Sequence, residues 1–146
     1  MLFKKLIIAI APLAVLACAE SAAAGTLVVT KSAYCGCCKD WVEHMEKAGF
    51  QVRVHEVEDV APTASRLGVP SNLRSCHTSQ IGGYVIEGHV PAADVKRLLV
   101  SKPKATGLAV PGMVAGSPGM EQGGLKQPYK VLLFNRAGKT SVFASH

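Results

Sequence analysis

A chain of 146 residues has room for one domain and little more. Its net charge is +6, but the basic residues are scattered and no basic stripe with interleaved aromatic residues is present, which argues against a nucleic-acid-binding protein. Five cysteines occur, and three of them lie within four residues, a density that favours metal or redox chemistry.

The first 24 residues predict an export signal. Two lysines precede an apolar stretch at 6–19, and three alanines at 22–24 supply a cleavage site. The apolar stretch is short for a transmembrane span, which argues against an uncleaved anchor. Lipid attachment at Cys18 is a weaker alternative. We therefore expect a signal peptide at 1–24, a domain at 25–146, a periplasmic location and no stable membrane span after processing.

The region after the signal begins with a strand, a helix and a strand. Residues 26–30 are β-branched and apolar, which predicts a buried strand. Helix formers follow at 39–48, with apolar residues at helical spacing until Gly49. Residues 51–57 alternate polar and apolar side chains, as a half-buried strand does. This order predicts a parallel pair of strands at the centre of a sheet.

A second group of elements follows. Residues 61–67 predict a short helix, 81–87 a strand and 91–99 a helix with proline in its first turn. The apolar residues of the last helix share one face, as expected for a helix that covers a sheet.

The end of the chain combines a loop with a hairpin. From 103 to 127 the composition shifts to glycine, proline and small residues, which predicts a long loop. Two β-rich runs at 129–134 and 140–144 predict a β-hairpin. The predicted fold class is α/β: a thioredoxin-like mixed sheet with flanking helices, a long Gly/Pro/Met loop and a C-terminal β-hairpin.

The cysteine cluster is the strongest chemical signal. Cys35 and Cys38 alone form the C-x-x-C of thioredoxin-like oxidoreductases, in which a helix N-terminus lowers the pKa of the first thiol. Cys37 departs from that pattern, and a disulfide between the adjacent Cys37 and Cys38 would be strained. A structural disulfide with the third thiol buried, pairing with Cys76, and binding of a soft metal ion are the alternatives.

The density of the thiols favours copper over zinc. Thiolates select Cu(I), Zn(II) and iron–sulfur clusters, but zinc motifs usually pair C-x-x-C knuckles at a distance. Adjacent thiolates can bridge several Cu(I) ions, each of which accepts two or three ligands. The cluster therefore predicts a Cu(I) site that could be polynuclear and redox-active.

Cys76 and His77 form a second candidate pair, a soft ligand beside a borderline one. The alternative is a buried small hydrophobe next to a surface histidine. If Val69 and Pro70 begin a loop that faces the helix N-terminus, as in thioredoxin-like folds, the pair reaches the cysteine cluster. His89 lies at a strand-to-helix turn and could support the site from its surroundings.

Two methionines form a third signal, because each ends a Pro-Gly-Met tripeptide in the long loop. Met113 and Met120 show no apolar periodicity, which distinguishes them from ordinary core methionines. Thioethers are soft, pH-insensitive ligands that suit Cu(I). The other histidines are expected outside the site: His44 and His55 at the surface and His146 at a frayed terminus.

Familiar enzyme constellations are missing from the sequence. Gly-x-Ser-x-Gly, His-Glu-x-x-His and phosphate-binding glycine loops do not occur, so any catalysis would have to be redox chemistry.

Six segments together resemble the CopG-type periplasmic copper-resistance proteins, a family long labelled a domain of unknown function. The resemblance covers nearly all of the chain from Thr26 to the last hairpin, and Val114 departs from it where proline is more often expected. The segments are Cys35-Gly-Cys-Cys-Lys-Asp-Trp, Gly68-Val-Pro-Ser, Ser75-Cys-His-Thr, Gly82-Gly-Tyr-Val-Ile-Glu-Gly-His-Val-Pro-Ala, Gly107-Leu-Ala-Val-Pro-Gly-Met and Gly116-Ser-Pro-Gly-Met-Glu.

The resemblance implies a thioredoxin-like fold and copper handling in the bacterial envelope, with copper ions as ligands and copper-efflux or oxidase components as partners. By position, it implies a copper site built on the cysteines, with histidine and methionine residues from the other segments. The candidate metal ligands are Cys35, Cys37, Cys38, Cys76, His77, His89, Met113 and Met120.

Two other functions remain open. A thiol-disulfide oxidoreductase would use Cys35 and Cys38, and would act without metal. A copper chaperone would only deliver the ion to a partner, and the positive charge would suit an acidic docking surface.

Overall fold

The computed structural model describes residues 25–121 and 123–146, so the predicted signal peptide lies outside the described residues. A 3-10 helix covers Ser71–Leu73. None of the described helices has the length and apolar character needed to cross a membrane. The elements in chain order are β1 (Leu27–Ser32), α1 (Gly36–Lys47), β2 (Val52–Val57), α2 (Ala61–Arg66), β3 (His77–Ile81), β4 (Tyr84–Glu87), α3 (Ala92–Ser101), β5 (Gly107–Ala109), β6 (Lys130–Phe134) and β7 (Thr140–Ser145).

The strands form one mixed sheet of seven in the order β2-β1-β3-β4-β5-β6-β7. β1 pairs with β2, and β4 with β5, in parallel; the other neighbours are antiparallel. The predicted mixed α/β fold and the C-terminal hairpin are confirmed. The predicted central position of the first parallel pair is wrong, because β2 is an edge strand with four consecutive exposed residues.

Apolar side chains cover both faces of the sheet. One face packs against α1 and α3 through residues such as Trp41, Met45 and Leu98, all fully buried. The other face packs against α2 and the 3-10 helix, where Ala64 and Leu73 are buried. Residues that alternate along a strand contact opposite clusters, as the pleat of a β-strand requires.

The predicted single strand at 81–87 is instead the second half of a hairpin. β3 and β4 pair around Gly82 and Gly83, whose φ angles of +56° and +82° suit a tight two-residue turn. The sequence did not predict β3, because its residues His77, Thr78 and Ser79 are polar and yet buried.

The predicted loop at 103–127 contains a strand. Gly107–Ala109 forms β5, which is buried between β4 and β6. The backbone of Val85 lies so close to Gly107 that a side chain there would collide with it. A three-residue strand with a glycine carries too little periodicity to predict a strand.

Helix α1 begins three residues before its predicted start at Lys39. Cys35 takes the N-cap position, and Cys37 and Cys38 lie in the first turn. The cysteine cluster is therefore part of the helix N-terminus rather than of the loop that precedes it.

Two histidines expected at the periphery are held in the fold. His44 is half-buried, and its Nε2 accepts a hydrogen bond from the Ala92 N–H at 3.2 Å, at the start of α3. His146 is not frayed, since its Nε2 lies 2.7 Å from Oδ2 of Asp94 and its ring stacks on Tyr129. The exposure expected for His55 is confirmed.

Candidate metal centre

The N-terminus of α1 carries three cysteines in different environments. Cys35 and Cys38 are joined by a disulfide, and the Cys35 sulfur accepts a hydrogen bond from the Cys38 N–H at 3.3 Å. Cys38 is fully buried, while Cys35 and Cys37 are half-buried. The structure therefore shows an oxidised pair with Cys37 left as a thiol, and Cys37 is not the buried bystander of the structural-disulfide alternative.

The sheet brings Cys76 to this cluster. β3 pairs antiparallel with β1, so the start of β3 lies beside the end of β1, from which the chain enters α1. The Cys76 sulfur lies 4.0 Å from the Cys37 sulfur, which is itself 3.4 Å from the Cys35 sulfur. All four cysteine sulfurs lie within 4.8 Å of one another.

Cys76 also contacts two histidines. Its sulfur lies 3.1 Å from Nε2 of His89 and 3.4 Å from Nδ1 of His77. These three residues form a second group whose donor atoms lie within 4.8 Å of one another. Cys76 is thus common to a four-sulfur group and to a Cys/His/His group, and His89 contacts it directly rather than from the surroundings.

The tautomer of His89 follows from its second contact. Nδ1 lies 2.8 Å from the carbonyl oxygen of Pro118, which can only accept a hydrogen bond. Nδ1 therefore carries the proton, and the Nε2 lone pair faces the Cys76 sulfur. This arrangement, with one ring nitrogen fixed by a carbonyl and the other free to bind, is typical of metal-ligating histidines.

His77 is buried and neutral. Burial, with a smaller effect from the neighbouring His89, lowers the pKa of His77 to about 3. Burial also lowers the pKa of His89. Both rings are uncharged at neutral pH, which is the form that binds metal ions.

The Nε2 atom of His77 is an unsatisfied buried group. It has no hydrogen-bond partner among the residues that the structure describes, although the ring is fully buried. Such atoms are uncommon in native proteins and call for a physical explanation. This Nε2 atom lies on the ring edge away from Cys76, and the nitrogen that faces the Cys76 sulfur is Nδ1. Nδ1 of His77, Nε2 of His89 and the cysteine sulfurs converge, so the donor set of the residues present fits a metal site.

Trp41 positions both histidines. Its ring lies 4.4 Å from the His77 ring between centroids, and its indole N–H donates to the carbonyl of Val90 at 2.9 Å, one residue beyond His89. The sequence showed Trp41 only as part of an apolar helix face. Its role was missed because nothing in the helical spacing distinguishes it from core packing.

The Cys76 thiol is held in its protonated form. Burial raises the pKa of Cys76 to about 12, and the nearby Cys37 adds to the shift. At neutral pH this group is therefore a thiol until a metal ion displaces its proton.

Glu87 fixes the segment that carries Cys76. Its buried carboxylate accepts hydrogen bonds from the Ser75 N–H and the Thr78 hydroxyl, both at 2.7 Å. Burial raises the pKa of Glu87 to about 7. Sequence reasoning missed this residue; the available signal was an acidic side chain at the end of an apolar strand.

Backbone atoms of the two Pro-Gly-Met segments contact residues that border the centre. Gly119 has a φ of +83°, and a Cβ atom there would lie 2.7 Å from the Cys37 carbonyl oxygen, so this segment packs directly on α1. The Gly112 N–H donates to the Arg74 carbonyl at 3.3 Å. The thioethers differ in exposure: Met113 is 58% exposed and Met120 is half-buried.

A half-open cleft of about 370 Å³ gives access to the site. Cys35 and Cys76 both line it, whereas Cys38 does not. Its walls also carry Glu58, Asp59 and Arg74. One residue of the disulfide and one free cysteine therefore face the same cleft.

Comparisons with known proteins identify relatives of this chain. Residues 73–120 match a family model described as a protein of unknown function, DUF411. A search of the curated proteins found no match. Two solved structures of copper resistance protein CopG are similar. Form 2 has 47% identity and a TM-score of 0.77 and covers 83% of this chain and 97% of that one. Form 1 has 46% identity and a TM-score of 0.78, with coverages of 84% and 98%. The chain belongs to the CopG family of copper resistance proteins.

Proposed function

We propose that this chain is a copper-binding protein of bacterial copper resistance that holds Cu(I) in a polynuclear thiolate cluster. The observation that carries the proposal is the convergence of four cysteine sulfurs within 4.8 Å, one of which also contacts two neutral histidines. The similarity to solved structures titled copper resistance protein supports copper as the ion.

The donor set suits Cu(I) better than harder ions. Thiolates are soft ligands, and the imidazoles of His77 and His89 are borderline ones that also suit copper. Sulfurs this close to one another can bridge neighbouring ions. Met113 and Met120 would add thioether ligands from loops whose backbones already contact Arg74 and α1.

Copper binding requires the reduced state of the site. The disulfide of Cys35 and Cys38 withholds two thiolates, and two electrons are needed to restore them. We propose that the site cycles between disulfide and thiolate forms, and that the bound copper cycles between Cu(I) and Cu(II).

The element order supports the fold class, and the N-terminal segment supports a location in the bacterial envelope. The order from β1 to α3, with a disulfide at the start of α1, supports a thioredoxin-like assignment. We propose that residues 1–24 direct export and are removed, that the domain at 25–146 acts in the periplasm, and that copper-efflux or oxidase components are its partners.

An anaerobic Cu(I) titration of the reduced chain against a chromogenic chelator tests the proposal. We expect tight binding of more than one ion. A Cys35/Cys37/Cys38→Ser triple variant should lose it, while Cys18→Ser serves as the control and should keep it. Retention of stoichiometric binding by the triple variant would refute the assignment.

The disulfide at the start of α1 also favours a second function, that of a thiol-disulfide oxidoreductase. Cys35 is reachable from the cleft and Cys38 is buried, an asymmetry that suits thiol exchange at Cys35. This function predicts that the metal-free chain reduces insulin disulfides. A flat time course with reduced protein would remove it.

A further inference from the structure

We propose that oxidation of this site forms a second disulfide, between Cys37 and Cys76, so that the four cysteines form two disulfides. We also propose that this second disulfide releases bound copper. The release of copper rests on the proposed function, whereas the formation of the disulfide does not.

The two partners are already neighbours. Cys37 and Cys76 are the free cysteines among the residues that the structure describes, and their sulfurs lie 4.0 Å apart. A disulfide holds its sulfurs about 2 Å apart, so they must approach by about 2 Å. Both side chains are half-buried, and neither sulfur is covalently engaged.

The existing disulfide determines the pairing. Cys38 is bonded to Cys35, so the remaining thiols are Cys37 and Cys76. Four cysteines allow two other pairings. One joins the adjacent Cys37 and Cys38 and is strained, and the other, Cys35–Cys37 with Cys38–Cys76, requires the existing disulfide to be broken first. Oxidation of the structure as it stands therefore leads to Cys37–Cys76.

One cleft serves both disulfides. Cys35 lines it as the accessible end of the first disulfide, and Cys76 lines it as the accessible end of the second. A small thiol that enters the cleft could therefore attack one sulfur of each bond. The same reductant would return all four thiols.

The chemistry balances with cupric ion as oxidant. The thiols of Cys37 and Cys76 lose two protons and two electrons, one sulfur–sulfur bond forms, and two Cu(II) ions become two Cu(I) ions. In the reverse direction a small thiol attacks the Cys76 sulfur and Cys37 leaves as a thiolate. A second small thiol then attacks the mixed disulfide, which frees Cys76 and yields the oxidised small molecule.

The second disulfide would empty the site of thiols. With both bonds formed, no cysteine in the four-sulfur group can act as a thiolate, and His77 and His89 remain as the described donors of the two groups. Cu(I) bound by thiolates should then be released. Full oxidation is thus a release state, whereas the form with one disulfide still holds two thiols.

Thiol counting and peptide mapping test the proposal in the full chain carrying Cys18→Ser. Reduced protein is treated with oxidised glutathione in the absence of copper, then quenched with acid, denatured and digested with trypsin without reductant. We expect no free thiol and a linked species joining residues 32–39 to residues 75–96. Two free thiols per chain, with these peptides separate, would overturn the proposal.

A matched pair of double variants identifies the bond. Cys35→Ser/Cys38→Ser keeps Cys37 and Cys76 and should lose both thiols on oxidation as a monomer. Cys35→Ser/Cys76→Ser keeps the adjacent Cys37 and Cys38 and should retain both thiols. Circular dichroism checks that both variants fold. Retention of both thiols by the folded first variant would also overturn the proposal.

A copper readout separates the inference from the proposed function. Reduced protein should convert about four Cu(II) to Cu(I) per chain if both disulfides form, and about two if Cys37 is replaced by serine, since two thiols release two electrons when they form a disulfide. Disulfide formation without tight Cu(I) binding would refute the proposed function alone. Tight binding without the second disulfide would refute this inference alone.

Discussion

Two regions of the molecule bury polar side chains: the cysteine/histidine centre around Cys76, and a C-terminal cluster of Asp94, Arg97 and His146. Only in the C-terminal cluster does the buried polar group have a described partner for each of its polar atoms. In the C-terminal cluster Asp94 contacts Arg97 at 3.1 Å through one oxygen and His146 at 2.7 Å through the other. In the centre, the Cys76 sulfur, Nδ1 of His77 and Nε2 of His89 face one another, and both imidazoles are neutral. The contrast distinguishes a cluster whose buried carboxylate is already paired from a centre whose donor atoms can bind an ion.

The C-terminal cluster ties the end of the chain to α3. Arg97 also donates to the Phe143 carbonyl at 2.7 Å, and its guanidinium lies 4.0 Å from the centre of the Phe143 ring. These contacts hold β7 against the helix. A substitution here should reduce stability without affecting copper, and a substitution in the centre should do the opposite.

The largest effect is expected for Cys76→Ser, which removes the sulfur shared by both donor groups. Cu(I) affinity should fall by more than about 100-fold, since even the loss of an outer partner of a ligand costs about 10- to 100-fold. Chelator competition measures this, and urea unfolding of the metal-free variant should change by less than about 1 kcal/mol. Unchanged Cu(I) affinity would show that the centre around Cys76 is not the copper site.

A smaller loss is expected for His89→Gln. The variant removes the nitrogen that faces Cys76 and should weaken Cu(I) binding by about 10- to 100-fold. The exposed His55→Gln is the matched control and should bind normally. If both variants bind alike, His89 does not contribute to the site.

Asp94→Asn should act on stability alone. The substitution weakens charge-assisted hydrogen bonds to two partly exposed partners, so the free energy of unfolding should fall by about 1–2 kcal/mol. Urea unfolding measures the loss, with Glu43→Gln in an exposed ion pair as a control that should show almost none. A change in Cu(I) affinity for Asp94→Asn would contradict the separation of the two regions.

The smallest effect concerns pH and His44. Burial lowers the pKa of His44 in the folded chain below its ordinary 6.5, so the unfolded chain binds a proton more readily. His44 therefore contributes stability that is present above pH 6.5 and lost as the pH falls below it. The loss should be less than about 1 kcal/mol, because His44 is only half-buried and solvent screens the effect; protonation removes the acceptor for the Ala92 N–H at the start of α3.

Unfolding curves at pH 7.5 and 5.5 test this effect. His44→Gln should lose less stability between these pH values than the original chain, whereas His55→Gln should lose as much as the original. Equal losses in all three proteins would show that His44 does not titrate in this way.

The candidate site was more predictable from the sequence than its geometry. The residue types and the density of Cys35, Cys37 and Cys38 indicated soft-metal chemistry, because thiolates select few ions. The contact of Cys76 with Cys37 depends on the pairing of β3 with β1, and its contact with His89 depends on the β3–β4 hairpin, whose two ends carry these residues. That arrangement requires non-local pairing, which single-residue patterns do not contain.

The fold was predictable where apolar periodicity was strong and not where polar residues are buried. β1, α3 and the final hairpin follow the expected patterns. β3 does not, because its buried residues His77, Thr78 and Ser79 are polar. Thr78 donates to Glu87, whereas Nε2 of His77 and Oγ of Ser79 have no hydrogen-bond partner among the described residues. β5 was not predicted, because three residues are too few to show the alternation of a β-strand.

X-ray absorption at the copper edge of the Cu(I)-loaded chain tests the central claim most directly. If the cysteine/histidine centre holds Cu(I) between bridging thiolates, sulfur should dominate the nearest neighbours of copper, and a short copper–copper distance should appear. Copper surrounded only by nitrogen and oxygen would contradict the account, because the cysteines would then be bystanders.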